Sequence, residues 1–360
     1  MRSVALLLCL AGCGPSPSVE PHTAPTEPAV RQLAGEALGT TWQVKWTESE
    51  AGVDHRSAAN LVIDRILAEV DAGMSTWRDD SELALVRVGD GPVVVSEDTA
   101  MVTRAALDLA AASGGAFDPT VQPLMELWGF HGERRDATPT QAEVDAARAQ
   151  VDWRRVVIGR SSEGRPTVDS GGTALDLSAI AKGHAVDRVA YGLSDMGIAA
   201  HFVEVGGEVR VSGRGASGPL WTVGVELPVP GNKQGQELAF VVSRSNGAVA
   251  TSGNYRNRYE LDGNVVVHTM DPRQGRPIAS RVASATVVAP DCRTADGLAT
   301  ALMVMEPQAG LALVRSLPHV EAALLLVQGE RFELEMTEGM QRQVRVVSDR
   351  VHAARAGAGE

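Results

Sequence analysis

Asp296 and Thr300 stand four residues apart in Ala295-Asp296-Gly297-Leu298-Ala299-Thr300. On a helix that spacing sets a carboxylate and a hydroxyl on one face, and two hard oxygens suit Mg²⁺ or Ca²⁺ rather than a soft metal. A local explanation competes, because the helix dipole favours aspartate near a helix start without any metal. In Leu175-Asp176-Leu177-Ser178-Ala179-Ile180-Ala181-Lys182, Ser178 is a candidate N-cap, the amides behind it are able to hold a phosphate, and Lys182 adds a point charge. The alternative is a solvated lysine on a surface helix. His268 precedes the turn Asp271-Pro272-Arg273-Gln274-Gly275, either as a general base near neutral pH or as a strand-end histidine bonded to backbone. Gly114-Gly115 and Gly206-Gly207 permit close backbone approach to a ligand, or make ordinary turns. Trp77 and Phe117 are candidates to stack on a planar ring or to fill a core. Neither glycine pair matches the G-x-G-x-x-G fingerprint or a P-loop, and the chain has no zinc-spaced Cys/His set and no G-x-S-x-G nucleophile.

The elements that must position these groups follow from periodicity. Leu38 to Trp46 alternates as a strand. Helical spacing runs over 58–72, ending at Gly73, and over 99–112, closed by Gly114-Gly115; 141–150, 179–196, 295–305 and 308–317 read as further helices. Asp79, Asp80 and Ser81 are capping candidates for a short helix through Val86. Strand-like segments lie at 156–158, 167–169, 202–205, 209–211, 221–226, 239–242, 265–268, 285–288, 323–327 and 332–336. Helices and strands are interspersed without regular β-α-β alternation, which favours an α+β fold in one body over a doubly wound sheet.

The 360 residues are 44% hydrophobic, enough for a core, and carry a net charge of −12, which disfavours nucleic acid as a partner. No run of 18 apolar residues occurs. Residues 1–12 read as an export signal: a positive start, the apolar Val4–Leu10, then small residues. Leu10-Ala11-Gly12-Cys13 resembles a lipobox, which makes Cys13 the expected lipidated residue of an exported lipoprotein, anchored to a membrane and facing the periplasm or cell exterior. An ordinary secretory signal is the alternative. Residues 13–32, with five prolines, read as a tether. A functional domain then spans 33–350, and 351–360 form a frayed tail. Once Cys9 leaves with the signal, Cys292 is the only thiol in the body, so no intrachain disulfide is expected there.

These segments occur in an order that resembles the ApbE family of FAD:protein FMN transferases. The resemblance runs from about Leu38 to Leu334. It rests on Leu38-Gly39-Thr40-Thr41-Trp42, Met74-Ser75-Thr76-Trp77 with Ser81-Glu82-Leu83, Gly115 to Thr120, Asp176 to Asp187, Gly206-Gly207, Thr251-Ser252-Gly253-Asn254-Tyr255, His268 to Gly275, and Ala295 to Thr300. It implies a single α+β body related to the T-fold, with mixed sheets and packed helices. It also implies an enzyme that binds FAD as substrate and Mg²⁺ as cofactor. The FMN half passes to a threonine hydroxyl of an acceptor flavoprotein in an exported or membrane electron-transfer system, and AMP leaves. By the resemblance, Asp296, Thr300 and the backbone oxygen of Ala179 are metal ligands. Trp77, Ala116, Phe117, Asp118, Asp176, Lys182 and Met270 contact FAD, and His268 assists the acceptor hydroxyl. Two positions depart from the family pattern, Leu38 for methionine and Trp77 for tyrosine. Two alternatives stand beside it: Mg²⁺-dependent FAD hydrolysis to FMN and AMP, which uses the same site, and non-catalytic flavin binding, which requires the metal ligands or the base to be missing where this chain has them all. Ala283-Ser284-Ala285-Thr286 faintly resembles the acceptor motif, but no self-modification is expected.

Overall fold

In the computed structural model, which describes residues 30–48, 54–215, 218 and 220–353, the alternation expected as one strand is a hairpin. Its strands are β1, Val30–Ala37, and β2, Thr40–Thr47. Leu38 and Gly39 turn the chain between them at φ 53° and 70°. Two successive left-handed residues give a turn whose twist matches its strands, an easy conformation for glycine and a strained one for leucine. β1 begins inside the stretch read as tether, so residues 30–32 belong to the sheet. Cys13, the signal and the rest of that stretch lie outside the described residues.

Seven more strands complete the sheet: β3 His201–Val205, β4 Glu208–Ser212, β5 Gly247–Gly253, β6 Val282–Ala289, β7 Glu321–Gln328, β8 Arg331–Met336 and β9 Val351–Ala353. Spatial order follows chain order, β1 through β9. Every neighbouring pair is antiparallel except β8 with β9, which is parallel. The first three residues of the expected frayed tail are therefore an edge strand. β5 was not legible as a strand, because Gly-Ala-Val-Ala-Thr-Ser-Gly has little β-propensity; its place in mid-sheet is set by burial of Ala248, Val249 and Ala250.

Alternation along the strands builds a core on each face. Val44, Val203, Val205, Ala250, Val287 and Leu324 point to one side. There they meet helices α1 Arg56–Met74, α2 Glu97–Ala112, α3 Ser178–Asp195 and α4 Cys292–Val304. Val209, Val211, Val249, Val288 and Leu325 point to the other side. A three-stranded sheet of Trp221–Glu226, Leu238–Arg244 and Val344–Val346 covers that face. A smaller core around Leu124, Trp128, Val144 and Met270 packs under the hairpin of Arg258–Leu261 and Asn264–Val267. The result is the α+β body with mixed sheets and packed helices that the sequence implied.

Candidate active site

Two helices meet at the floor of the site. Asp291 caps α4, accepting from the Thr294 amide at 2.9 Å. The helix thus starts three residues earlier than its periodicity indicates, and Asp296 sits in the second turn. The dipole explanation for this aspartate falls with that placement, since the effect fades beyond the first turn. Asp296 is 2% exposed, and its Oδ2 accepts from the Gly183 amide of α3 at 2.9 Å. Gly183 permits this approach: a Cβ there would lie 2.3 Å from the Cys292 carbonyl oxygen. In a regular helix the Gly183 amide serves the Ala179 carbonyl. A carbonyl has two lone pairs, so Ala179 keeps acceptor capacity toward the cleft. Thr300, one turn beyond Asp296, has its Oγ1 3.2 Å from Ser252 Oγ on β5.

Ser178 is not the cap expected of it. It is the first residue of α3, and Leu177 before it makes no side-chain cap. Asp176 does that work, its Oδ1 accepting from the Ser178 amide at 2.8 Å. The Asp176 amide in turn donates to the Pro119 carbonyl at 2.7 Å, tying the Ala116–Asp118 segment to the start of α3. Asp118 Oδ1 accepts from the amide and hydroxyl of Thr120 at 2.8 and 2.7 Å. Burial pushes the Asp118 carboxyl upward, against those two hydrogen bonds.

Lys182 is no solvated surface lysine. Its Nζ lies 3.6 Å from Asp296 Oδ2 and 3.5 Å from Glu208 Oε1, and donates to the Ser178 carbonyl at 3.2 Å. Burial pulls the ammonium down, but the carboxylates of Asp296 and Glu208 outweigh it and hold the lysine above its usual range. Burial pushes both acids up, with the ammonium opposing. Two buried carboxylates around one ammonium leave the floor short of positive charge, and buried charge demands a partner. A carboxylate, a hydroxyl and a carbonyl fit a hard divalent cation that completes its shell with water and ligand oxygens. Among the described residues no cluster of three His, Cys, Asp or Glu offers an all-protein cage.

His268 follows the Asn264–Val267 strand, and its Nδ1 lies 3.2 Å from the Asn257 carbonyl. A carbonyl only accepts, so Nδ1 carries the hydrogen and Nε2 presents a lone pair. Burial lowers its pKa against that hydrogen bond, and the nearby Lys182 lowers it further, which keeps the ring neutral. The backbone bond and a base role are therefore compatible, one fixing the tautomer the other needs. Trp77, at the rim, is 71% exposed and stacks on His131 with ring centroids 4.3 Å apart. Phe117 and Met270 are buried and line the wall.

Trp77, Ala116, Phe117, Asp118, Asp176, Ala179, Lys182, His268, Met270, Asp296 and Thr300 all line one cleft of about 1080 Å³. They come from segments spread over more than 220 residues, which no local pattern places together. Sequence reasoning passed over Glu208, which directly follows the Gly206-Gly207 pair. It also gave no separate role to Ser252, or to Tyr255, whose hydroxyl donates to Glu226 Oε2 at 2.7 Å on the cleft wall. The burial of Glu208 beside Lys182 has no signature in spacing. Thr286 lies in mid-sheet, 1% exposed, with its Oγ1 2.9 Å from Thr251 Oγ1, so its hydroxyl is closed to any acceptor chemistry in the folded chain.

Fold and cleft together define an α+β enzyme whose site gathers hard oxygen donors and a neutral imidazole along one cleft. The ApbE family pattern matches residues 38–324, and the chain belongs to that family. The FAD:protein FMN transferase of Vibrio cholerae is 39% identical over 317 residues, covering 87% of this chain and 90% of that protein. The protein of the same name from Salmonella typhimurium is 36% identical over 343 residues, 93% of this chain and 94% of its own. Among solved structures, the flavin transferase ApbE from Vibrio cholerae superposes with a TM-score of 0.77 at 35% identity, covering 88% of this chain and 99% of that one. The apo flavinyl transferase ApbE of Pseudomonas stutzeri gives 0.75 at 32% identity, covering 88% and 97%.

Proposed function

We propose that this chain is a flavin transferase that moves FMN from FAD to a threonine hydroxyl of an acceptor protein, with Mg²⁺ as cofactor and AMP as the leaving group. The observation that carries the reading is convergence. Every FAD-contact position implied by the sequence borders the same cleft as the oxygen set of Asp296, Thr300 and Ala179 and as His268 Nε2. Mg²⁺ bound there supplies charge neutralisation to the pyrophosphate oxygens. The protein supplies position and charge, which is most of what phosphoryl-type transfer needs. Lys182 adds a fixed ammonium beside the floor, and Trp77 offers a ring face at the rim. His268 Nε2 takes the proton of the acceptor hydroxyl as the new P–O bond forms on the FMN phosphorus. The bridging P–O bond of the pyrophosphate breaks, and AMP departs with its electron pair.

The test incubates the full chain with FAD, Mg²⁺ and candidate acceptors, weighs each acceptor by mass spectrometry, and quantifies AMP. One FMN per acceptor with equimolar AMP is expected, lost on chelation and in Asp296→Ala. AMP released equally fast without any acceptor would replace transfer by hydrolysis. The chain boundaries extend the proposal: residues 1–12 are removed, Cys13 carries lipid, and the catalytic body is held at a membrane outside the cytoplasm. Its support is the sequence of residues 1–13. An unlipidated amino terminus on the exported protein would refute it.

A further inference from the structure

Glu208 is buried in the cleft wall, 5% exposed, and its Oε2 has no hydrogen-bond partner. Its other oxygen, Oε1, is 3.5 Å from Lys182 Nζ. The pair is fitted tightly: a Cβ at Gly206 would lie 3.3 Å from both Glu208 Oε2 and Lys182 Cδ. A buried carboxylate with a free oxygen is costly unless something in the working state needs it. The floor shows what that is. Lys182 now shares itself between Asp296 and Glu208, at nearly equal distances. A divalent cation held by Asp296 would compete for that carboxylate and repel the ammonium, because like charges a few ångströms apart in a buried site oppose each other strongly. Among the described residues, the acceptors that remain for Nζ are Glu208 and the Ser178 carbonyl.

We propose that Glu208 is a positioning residue for Lys182, holding the ammonium beside the floor once a divalent cation has taken Asp296. Cation and ammonium then act side by side on the pyrophosphate. This rests on the flavin-transfer reading above, but it assigns Glu208 no contact with the reacting atoms. The carboxylate acts through the lysine, so its removal matters only while the lysine is present and only when Asp296 is otherwise engaged.

The experiment measures FAD affinity by flavin fluorescence for the full chain, Glu208→Gln, Lys182→Met and the double variant, each with Mg²⁺ and with chelator. With Mg²⁺, Glu208→Gln is expected to weaken FAD binding about ten-fold, the scale of one hydrogen bond to a charged group, and the double variant is expected to bind no worse than Lys182→Met alone. With chelator, Asp296 still holds the lysine, and Glu208→Gln is expected to change affinity less than about two-fold. Additive losses in the double variant, equal losses with and without Mg²⁺, or tighter FAD binding in Glu208→Gln would each overturn the assignment. Tighter binding would make Glu208 merely a repelling charge. Should Glu208→Gln not fold, Glu208→Asp withdraws the carboxylate by one methylene and is read by the same comparisons. Failure of the parent chain itself to bind FAD with Mg²⁺ would instead overturn the functional reading.

Discussion

Replacing Gly183 with alanine tests how the floor of the cleft is built. The new Cβ would sit 2.3 Å from the Cys292 carbonyl oxygen, 2.6 Å from the Cys292 carbonyl carbon and 2.8 Å from Arg293 Cα. All three are backbone atoms at the start of α4, so no side-chain rotation relieves the clash. Ordinary contact begins at 3.4 Å, so the two helices must part locally by about 1 Å. Overpacking of this kind costs about 1–3 kcal/mol, while alanine gains about 1 kcal/mol over glycine inside a helix. The net loss of stability is therefore about 0–2 kcal/mol, and the chain still folds. Function is hit harder. The Gly183 amide bond to Asp296 Oδ2 spans the same gap, and the proposed ligands come from both helices, Ala179 from α3 and Asp296 and Thr300 from α4. A shift of about 1 Å far exceeds the ~0.2 Å tolerance of a metal site, and misplacement on this scale costs about 100-fold in rate. The assay pairs a thermal melt with Mg²⁺ titration of AMP release. Expected are a melting temperature within about 5 °C of the parent and a large rise in the Mg²⁺ concentration needed for half-maximal rate. A variant with parental Mg²⁺ dependence would show that the close helix approach does not set the floor.

His184, on α3 and buried, is held neutral: burial first, and the charge of Arg293 second, lower its pKa to about 4 from an ordinary 6.5. Because the folded value is the depressed one, its contribution to stability is complete above pH 6.5 and is lost as pH falls toward 4, a span of about 3 kcal/mol. Urea unfolding from pH 7 to 4.5 should therefore show a flatter acid slope for His184→Gln than for the parent, and parallel slopes would refute the assignment. Trp77→Ala removes an exposed ring whose contact is with His131. Stability should change by less than about 1 kcal/mol, while FAD affinity should fall about ten-fold, the worth of one stacked ring. Unchanged FAD affinity would remove Trp77 from the site.

The groups of the site were legible because chemistry is written in residue type. The carboxylate and hydroxyl of Asp296 and Thr300 share a helix face as their spacing required. The elements were legible where periodicity was strong, as in α1 and α2. What escaped had weak local signals. β5 is glycine- and alanine-rich, and only its position between β4 and β6 makes it a strand. The turn at Leu38-Gly39 hid inside an alternation that continued on both sides. Residues 351–353 carry no distinctive pattern and are ordered by pairing with β8. Ser178 has the residue type of an N-cap, yet its own amide donates to Asp176, two residues earlier, which does the capping.

Glu208 shows most plainly why a site exceeds its motifs. Seen alone, a glutamate after two glycines reads as a turn residue. In the fold, the turn between β3 and β4 delivers it beside a lysine from α3 and an aspartate from α4. An acidic chain that takes a polyanion must gather positive charge at one point. The floor does so with a lysine already in place and, under the proposed chemistry, a cation drawn by the surplus carboxylate. That gathering follows from the charges of Lys182, Asp296 and Glu208 together, and from none of them singly.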